Sequence, residues 1–132
     1  MNRYYPDHTD EQIAELREVR VRESKCDLFL GDAALVHEIA RGQHRQAALL
    51  ERYATLVLCS PCHRIVHQGM TVAEQLAWVW WRRPKEYDLA KFFALTGRNW
   101  PSGLEVLEEY RRISDPNHFD YVTPCPVFEE KE

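Results

Sequence analysis

Short apolar runs, separated by longer polar segments, set the pattern of this chain. Two of them, ALVHEI at residues 34–39 and TLVLC at 55–59, are partly β-branched and have the length of strands, so two β-strands are predicted. The fifteen residues between them, 40–54, are too many for a tight hairpin turn. They are predicted to form a short helix or an ordered loop.

The N-terminal segment has the pattern of a charged, exposed helix over residues 9–23. Thr9 or Asp10 can cap this helix, and Ile13 and Leu16 supply a thin apolar stripe. The helix is therefore predicted to act as an arm or to pack on the rest of the protein through a narrow contact.

Helical signals dominate after the second strand. Pro61 suits the first turn of a helix, so a helix is predicted over residues 62–68, with Gly69 at its end. Capping residues and stop signals then predict three further helices, over about residues 71–83, 89–96 and 102–113. The chain is thus expected to be mostly helical, with a small β component.

Large aromatic residues are concentrated in this helical region. Their helical spacing predicts packing in the core, although a platform for stacking nucleobases or a cofactor pocket is the alternative. The residues concerned are Trp78, Trp80, Trp81, Phe92, Phe93 and Trp100.

Length and composition restrict the classes of function. A chain of 132 residues suits one domain, and its net charge of −4 argues against a large non-specific nucleic-acid surface, which leaves room only for a small local basic site. The sequence shows neither an apolar run of bilayer-spanning length nor a secretion signal, so we expect a cytoplasmic protein without membrane contact. In a reducing compartment its four cysteines are expected to be free thiols or metal ligands.

The stretch LCSPCHRIVH, residues 58–67, combines the residue types that bind metals. Cys59 and Cys62 have the C-x-x-C spacing of a thiolate site, and His63 and His67 lie four residues apart, on one face of a helix. The same letters also spell the attachment site of c-type haem, but that site requires export to an oxidising compartment. No haem is therefore expected.

A known family has this order of elements: a strand ending in VHEI, an Arg/Gly loop, the strand TLVLC, and a helix that begins CSPCHRIVH. Over about residues 26–67 the chain resembles the HNH endonucleases of the ββα-metal (His-Me finger) superfamily, in their zinc-containing branch. The resemblance implies a ββα-metal core at 26–69 and metal-dependent hydrolysis of DNA phosphodiester bonds. With the helices predicted around this core, the expected fold is α+β and mostly helical: an N-terminal helical arm at 1–25, the core, a helical extension at 70–114 packed on the core, and an acidic tail at 115–132.

Site residues follow from the resemblance, position by position. One divalent ion, such as Mg²⁺, Mn²⁺ or Zn²⁺, would be held by His37, His63 and His67. A structural zinc would be held by cysteines, with the last of them as the candidate fourth ligand: Cys26, Cys59, Cys62 and Cys125. Four arginines are candidate contacts to DNA, with ordinary surface charge as the alternative: Arg41, Arg45, Arg52 and Arg64.

Three positions depart from the family pattern. Phe29 stands where a second cysteine would complete the upstream pair, and Ala54 stands where an Asn would help to orient the catalytic base. Glu38 occupies the position of the catalytic histidine. Glu38 is then the base, or in a shifted register His37 is the base, or Glu38 merely pairs with an arginine. These departures favour a second hypothesis, an HNH-fold module that binds nucleic acid or protein and has an impaired catalytic site.

Overall fold

The computed structural model describes residues 2–115, and within them it contains the predicted mixture of helices and a small sheet. The helices are α1 (Asp10–Glu23), α2 (Ser60–Gly69), α3 (Val72–Arg82), α4 (Leu89–Thr96) and α5 (Gly103–Ser114). The strands are β1 (Leu35–Glu38) and β2 (Thr55–Leu58). Between the strands lie two 3₁₀-helical segments, Gly42–Ala48 and Arg52–Ala54. The predicted α+β, mostly helical class is confirmed, whereas Cys125 and nearly all of the predicted tail lie outside the described residues.

The sheet consists of β1 and β2 in antiparallel register, with Val36 opposite Val57. The outer edge of β2 is closed by the side chain of Arg83 and by Asp27, which lies in a turn. The backbone N–H of Asp27 donates to the Val57 carbonyl at 2.7 Å, and the Val57 N–H donates to Asp27 Oδ2 at 2.8 Å. Arg83 donates to the Thr55 carbonyl at 2.6 Å. Both edges of this buried strand are therefore hydrogen-bonded, as burial of backbone polar groups requires.

Helix α1 begins as predicted but packs differently. Thr9 caps it by accepting from the Gln12 N–H, and Ile13 is buried. Leu16, predicted to belong to the apolar stripe, is 45% exposed, so that part of the prediction is wrong. Arg20 is buried instead and donates to the Thr55 side chain. Its long aliphatic stem covers apolar surface while its guanidinium reaches a polar partner, which a hydropathy pattern cannot predict.

All three C-terminal helices have capped starts, at the predicted Thr71 and Ser102 for α3 and α5 and at Asp88, which was not predicted as a cap, for α4. The side chains of Thr71, Asp88 and Ser102 accept backbone N–H groups of the first turns of α3, α4 and α5. Gly97 ends α4 in the left-handed conformation, with φ of 71°. Helices α3 and α5 pack against each other, and α3 also contacts β2. Within residues 2–115 no helix is long and apolar enough to cross a membrane.

The predicted aromatic core is confirmed for some members and wrong for one. Trp78 and Phe92 are almost wholly buried, while Trp80 stacks on Tyr110 with ring centroids 4.0 Å apart. Trp100 is 53% exposed, because it lies in the segment between α4 and α5 rather than on a helix face.

Candidate metal centres

Three cysteines meet where β2 passes into α2, two from the C-x-x-C stretch and one from an earlier segment. Cys59 follows β2, Cys62 lies in the first turn of α2, and Cys26 lies in a turn before β1. All three are buried, and their sulfur atoms lie within 4.8 Å of one another. The Cys62 N–H donates to Cys59 Sγ at 3.4 Å, which orients this sulfur at the helix start. The three thiols are close enough to bind one metal ion, and their geometry is compatible with zinc.

The turn around Cys26 favours the thiolate. The Cys26 N–H donates to the Gly31 carbonyl at 2.8 Å, and the Leu30 N–H donates to the Cys26 carbonyl at 2.9 Å. The pKa of the Cys26 thiol is lowered to about 4, chiefly by its hydrogen bond with Cys62 and, against desolvation, by backbone N–H groups that include that of Cys59. A thiolate is the form that binds metals, so this environment suits a ligand.

Phe29 cannot contribute a fourth ligand. Its ring lies edge-on to Trp78, with centroids 5.9 Å apart, so the position of the missing cysteine is used for packing on α3. Residues 2–115 therefore supply three thiols to this cluster. The candidate fourth ligand, Cys125, lies outside the described residues.

Three imidazoles, one from β1 and two from α2, form a second cluster. His63 and His67 are one turn apart on α2, with ring centroids 4.6 Å apart. The ring of His37, from β1, lies 5.2 Å from His63 and 5.7 Å from His67. One nitrogen of each ring lies within 4.8 Å of the others, so the predicted trio is close enough to hold one ion.

Burial favours the neutral form of two of these imidazoles. It lowers the pKa of His37 and of His63, and the neighbouring imidazoles lower both further. Neutral imidazole has the lone pair that a metal needs, so protonation competes less with binding than it would in water. The donor set therefore fits a divalent ion of the kind that imidazoles bind, such as Zn²⁺ or Ni²⁺.

Gln75, from α3, fixes the orientation of His37. Its Nε2 donates to the Met70 carbonyl at 3.0 Å, and its Oε1 lies 3.0 Å from His37 Nε2. Because the amide nitrogen faces a carbonyl, the oxygen must face the imidazole, and His37 Nε2 is then the donor. The other nitrogen, Nδ1, keeps its lone pair for a ligand.

The imidazole cluster lines a cleft of about 590 Å³ between β1, α2 and the start of the inter-strand segment. Arg17, Glu38, Arg41 and Arg45 line the same cleft. Glu38 is held by Arg17, with 3.0 Å between Oε2 and the guanidinium, and Arg45 approaches its other oxygen at 3.7 Å. The candidate base, Glu38, thus lines the cleft while its carboxylate contacts two arginines.

The four predicted DNA-contacting arginines do not share one location. Arg41 and Arg45 line the cleft, whereas Arg52 pairs with Glu86 at 3.2 Å and is not among the lining residues. Arg64 is exposed on α2 and does not line the cleft either. The structure therefore brings two of the four beside the imidazoles.

Ala54 is fully buried and does not line the cleft, so its side chain has no direct route to a catalytic base. The tie between β1 and the inter-strand segment comes from Arg17. Its guanidinium donates to the Leu49 carbonyl at 2.6 Å and to the Val36 carbonyl at 3.0 Å, besides binding Glu38. A residue of α1 thus holds the loop to the strand.

Sequence reasoning missed Gln75 and Arg17. The signal for Gln75 was present, since it is a polar residue among the apolar ones of α3 and is 2% exposed. A buried polar side chain requires partners, so such a residue is a candidate for a structural or functional hydrogen bond. Arg17 gave no signal, because it is one of several charged residues in a charged helix.

Comparison with known proteins identified no relative. No family model, curated protein or solved structure matches this chain.

Replacing Gln75 with Met, which preserves shape and removes both polar atoms, is expected to weaken metal binding at the imidazole cluster about 10- to 100-fold. His37 loses the acceptor that fixes its tautomer and ring orientation. Protein already loaded with zinc at its thiols would be titrated calorimetrically with Ni²⁺. Gln68→Met, an exposed position on α2, is the matched control. Equal Ni²⁺ affinity in the two variants would show that Gln75 serves the fold alone.

Proposed function

We propose that this protein is a metal-dependent endonuclease of the HNH type that hydrolyses phosphodiester bonds of DNA. The observation that carries the proposal is the meeting of His37, His63 and His67 in a cleft that also contains arginines. The elements that carry these histidines, β1 and α2, are the strand and the helix from which the resemblance predicted the ligands. The thiol cluster, as a zinc site, would stabilise the junction between β2 and α2, the helix that carries His63 and His67.

Three imidazole ligands leave coordination positions for a phosphate oxygen and for water. A divalent ion bound there supplies Lewis-acid stabilisation of the charge that develops on the phosphate. The contribution of the chain is to favour the neutral form of His37 and His63, whose pKa values burial lowers, and to orient His37 through Gln75. Sequence resemblance suggested the ligands, and the cleft supports them with space for a phosphate group.

Two arginines suit the role of phosphate contacts. Arg41 and Arg45 line the cleft with the imidazoles, and both are exposed enough to meet a ligand. Guanidinium groups form paired hydrogen bonds with phosphate oxygens, so these residues would position the scissile phosphate. Arg52 and Arg64 then remain surface charge or distant contacts.

Deprotonation of the attacking water requires a base in the same cleft. Glu38 is the candidate base because it lines the cleft, and binding of phosphate by Arg45 would loosen the arginine's 3.7 Å contact with the carboxylate. His37 is the alternative base, in which case His63 and His67 hold the ion.

The proposal is tested by nicking of supercoiled plasmid in the presence of Mg²⁺, Mn²⁺, Ni²⁺ or Zn²⁺. We expect cleavage with at least one of these ions, its loss with chelator, and its loss in His63→Ala and His67→Ala because each removes a ligand. His8→Ala, outside the cleft, should cut like the parent. Cleavage that survives both ligand substitutions would exclude the imidazole cluster as the catalytic centre.

A binding module is the second candidate, favoured by the ion pair between Arg17 and the largely buried Glu38 carboxylate. An acid engaged in this way can serve to hold α1 on β1 rather than to accept a proton. Metal bound at both clusters, with oligonucleotide binding but no nicking under any of the four ions, would support this candidate.

A further inference from the structure

A second cavity, of about 310 Å³, lies beside the imidazole cleft. The two share residues 39–42 as a common wall. Its apolar lining includes Val72 and the almost wholly buried Phe92. Trp100 also lines it, with 53% of its surface exposed. An indole ring is thus presented to solvent at an apolar hollow next to the proposed phosphate site.

The charge around this second cavity is positive. Arg41, His44 and Arg98 line it, and no carboxylate is among its lining residues. Among residues 2–115, ion pairs engage other arginines, such as Arg17 and Arg45. The net charge of the whole chain is −4, so these basic residues form a local positive region on an acidic protein. A surface of this kind favours an anionic ligand that also has an apolar, planar part.

We propose that this cavity binds an unpaired nucleobase of the nucleic acid whose phosphate lies in the imidazole cleft. The inference rests on the proposed function and names its substrate class: strands that are single or locally unpaired. Trp100 would stack on the face of the base, while Arg41 and Arg98 would contact the phosphates on either side.

The shared wall explains why the base must be unpaired. Arg41 lines both cavities, so one guanidinium stands between the proposed phosphate site and the proposed base site. In a duplex the base face is covered by its neighbours, and reaching a cavity beside the phosphate requires leaving the stack. In a single strand little free energy is needed to unstack the base, so a single strand is the substrate that this pair of cavities accommodates most readily.

The test measures binding of short labelled strands by fluorescence anisotropy, with protein that holds zinc only at its thiols and has no ion at the imidazole cluster, so that no strand is cut. Trp100→Ala is expected to weaken binding of single-stranded DNA about 5- to 150-fold. Trp100→Phe should restore most of the affinity, since it keeps a stacking face. Leu104→Ala, exposed on α5 and outside the cavity, is the control for loss of exposed apolar surface.

Strands of equal length that lack all bases isolate the stacking contribution, because they retain every phosphate. Trp100→Ala should bind these abasic strands like the parent. RNA strands in the same assay establish whether the cavity accepts both sugars. Equal loss on base-bearing and abasic strands, or unchanged binding of base-bearing strands, would overturn the base site, as would tighter binding of duplex than of single strands.

The plasmid assay separates this inference from the proposed function. Nicking by the parent, with unchanged strand binding in Trp100→Ala, would overturn the base site and leave the nuclease standing. No nicking by the parent, with Trp100→Ala still selectively weakening base-bearing strands, would overturn the nuclease and support a nucleobase-binding site.

Discussion

Replacing Cys62 with Ser is expected to release the zinc that co-purifies with the protein and to lower its melting temperature by more than about 10 °C. Serine is close in size to cysteine, so little packing is lost. Thiolate ligation of a metal is absent from the unfolded chain, and its binding free energy is therefore folding free energy. Cys59→Ser should behave alike, and Cys26→Ser should lose stability measurably. Metal content by mass spectrometry and thermal unfolding provide the measurements.

Chelator supplies the control for this prediction. Metal-stripped parent should melt close to Cys62→Ser, because both lack the same ion. Cys125→Ser tests the candidate fourth ligand: a similar loss of zinc assigns this role to Cys125, and retained zinc excludes Cys125. If the parent contains no metal and all three cysteine variants melt like it, the cysteines are ordinary core residues.

Replacing Glu38 with Gln is expected to reduce nicking about 10²- to 10⁴-fold while leaving metal affinity nearly unchanged. The amide keeps a hydrogen bond to Arg17 but cannot accept a proton from water at neutral pH. His37→Ala should instead weaken binding of the ion, since it removes a ligand. Nicking rates under saturating ion, with calorimetric metal titration, distinguish these two effects.

Glu86→Gln is the matched control, since Glu86 also pairs with two arginines, Arg83 at 2.6 Å and Arg52 at 3.2 Å, and lies outside the cleft. It should cut like the parent. If Glu38→Gln also cuts like the parent, while His37→Ala binds the ion and cannot cut, then His37 is the base. In that case the arginine-bound carboxylate of Glu38 is a structural group that holds α1 to β1.

Both candidate ligand sets were accessible from the sequence, for local reasons. The spacing of Cys59 and Cys62 and of His63 and His67 fixes their relation, because a helix places residues three and four apart on one side. The family resemblance, which rests on the order of strand, loop, strand and helix, then added Cys26 to the predicted thiol site and His37 to the predicted imidazole site. Helix starts were predictable too, since caps depend on residues within one turn.

The tertiary structure decided what each of these side chains contacts. Pairing of β1 with β2 brings His37 over α2, and the turn before β1 brings Cys26 to Cys62. Neither distance follows from spacing in sequence, because loops of the same length can place their ends in many ways. The cleft itself, with two of the four predicted arginines in it, exists only once these elements pack.

Long polar side chains were the least predictable part of the site. Arg17 crosses from α1 to the strand and loop, Arg20 is buried and donates to Thr55, and Gln75 reaches from α3 to His37. Hydrophobic periodicity identifies which face of a helix is buried, yet it treats all polar and charged residues as exposed. What the sequence determined by itself was therefore the identity of the elements and of the metal-binding residue types. The orientation of those residues depended on hydrogen bonds between distant segments, and only the packed chain could decide it.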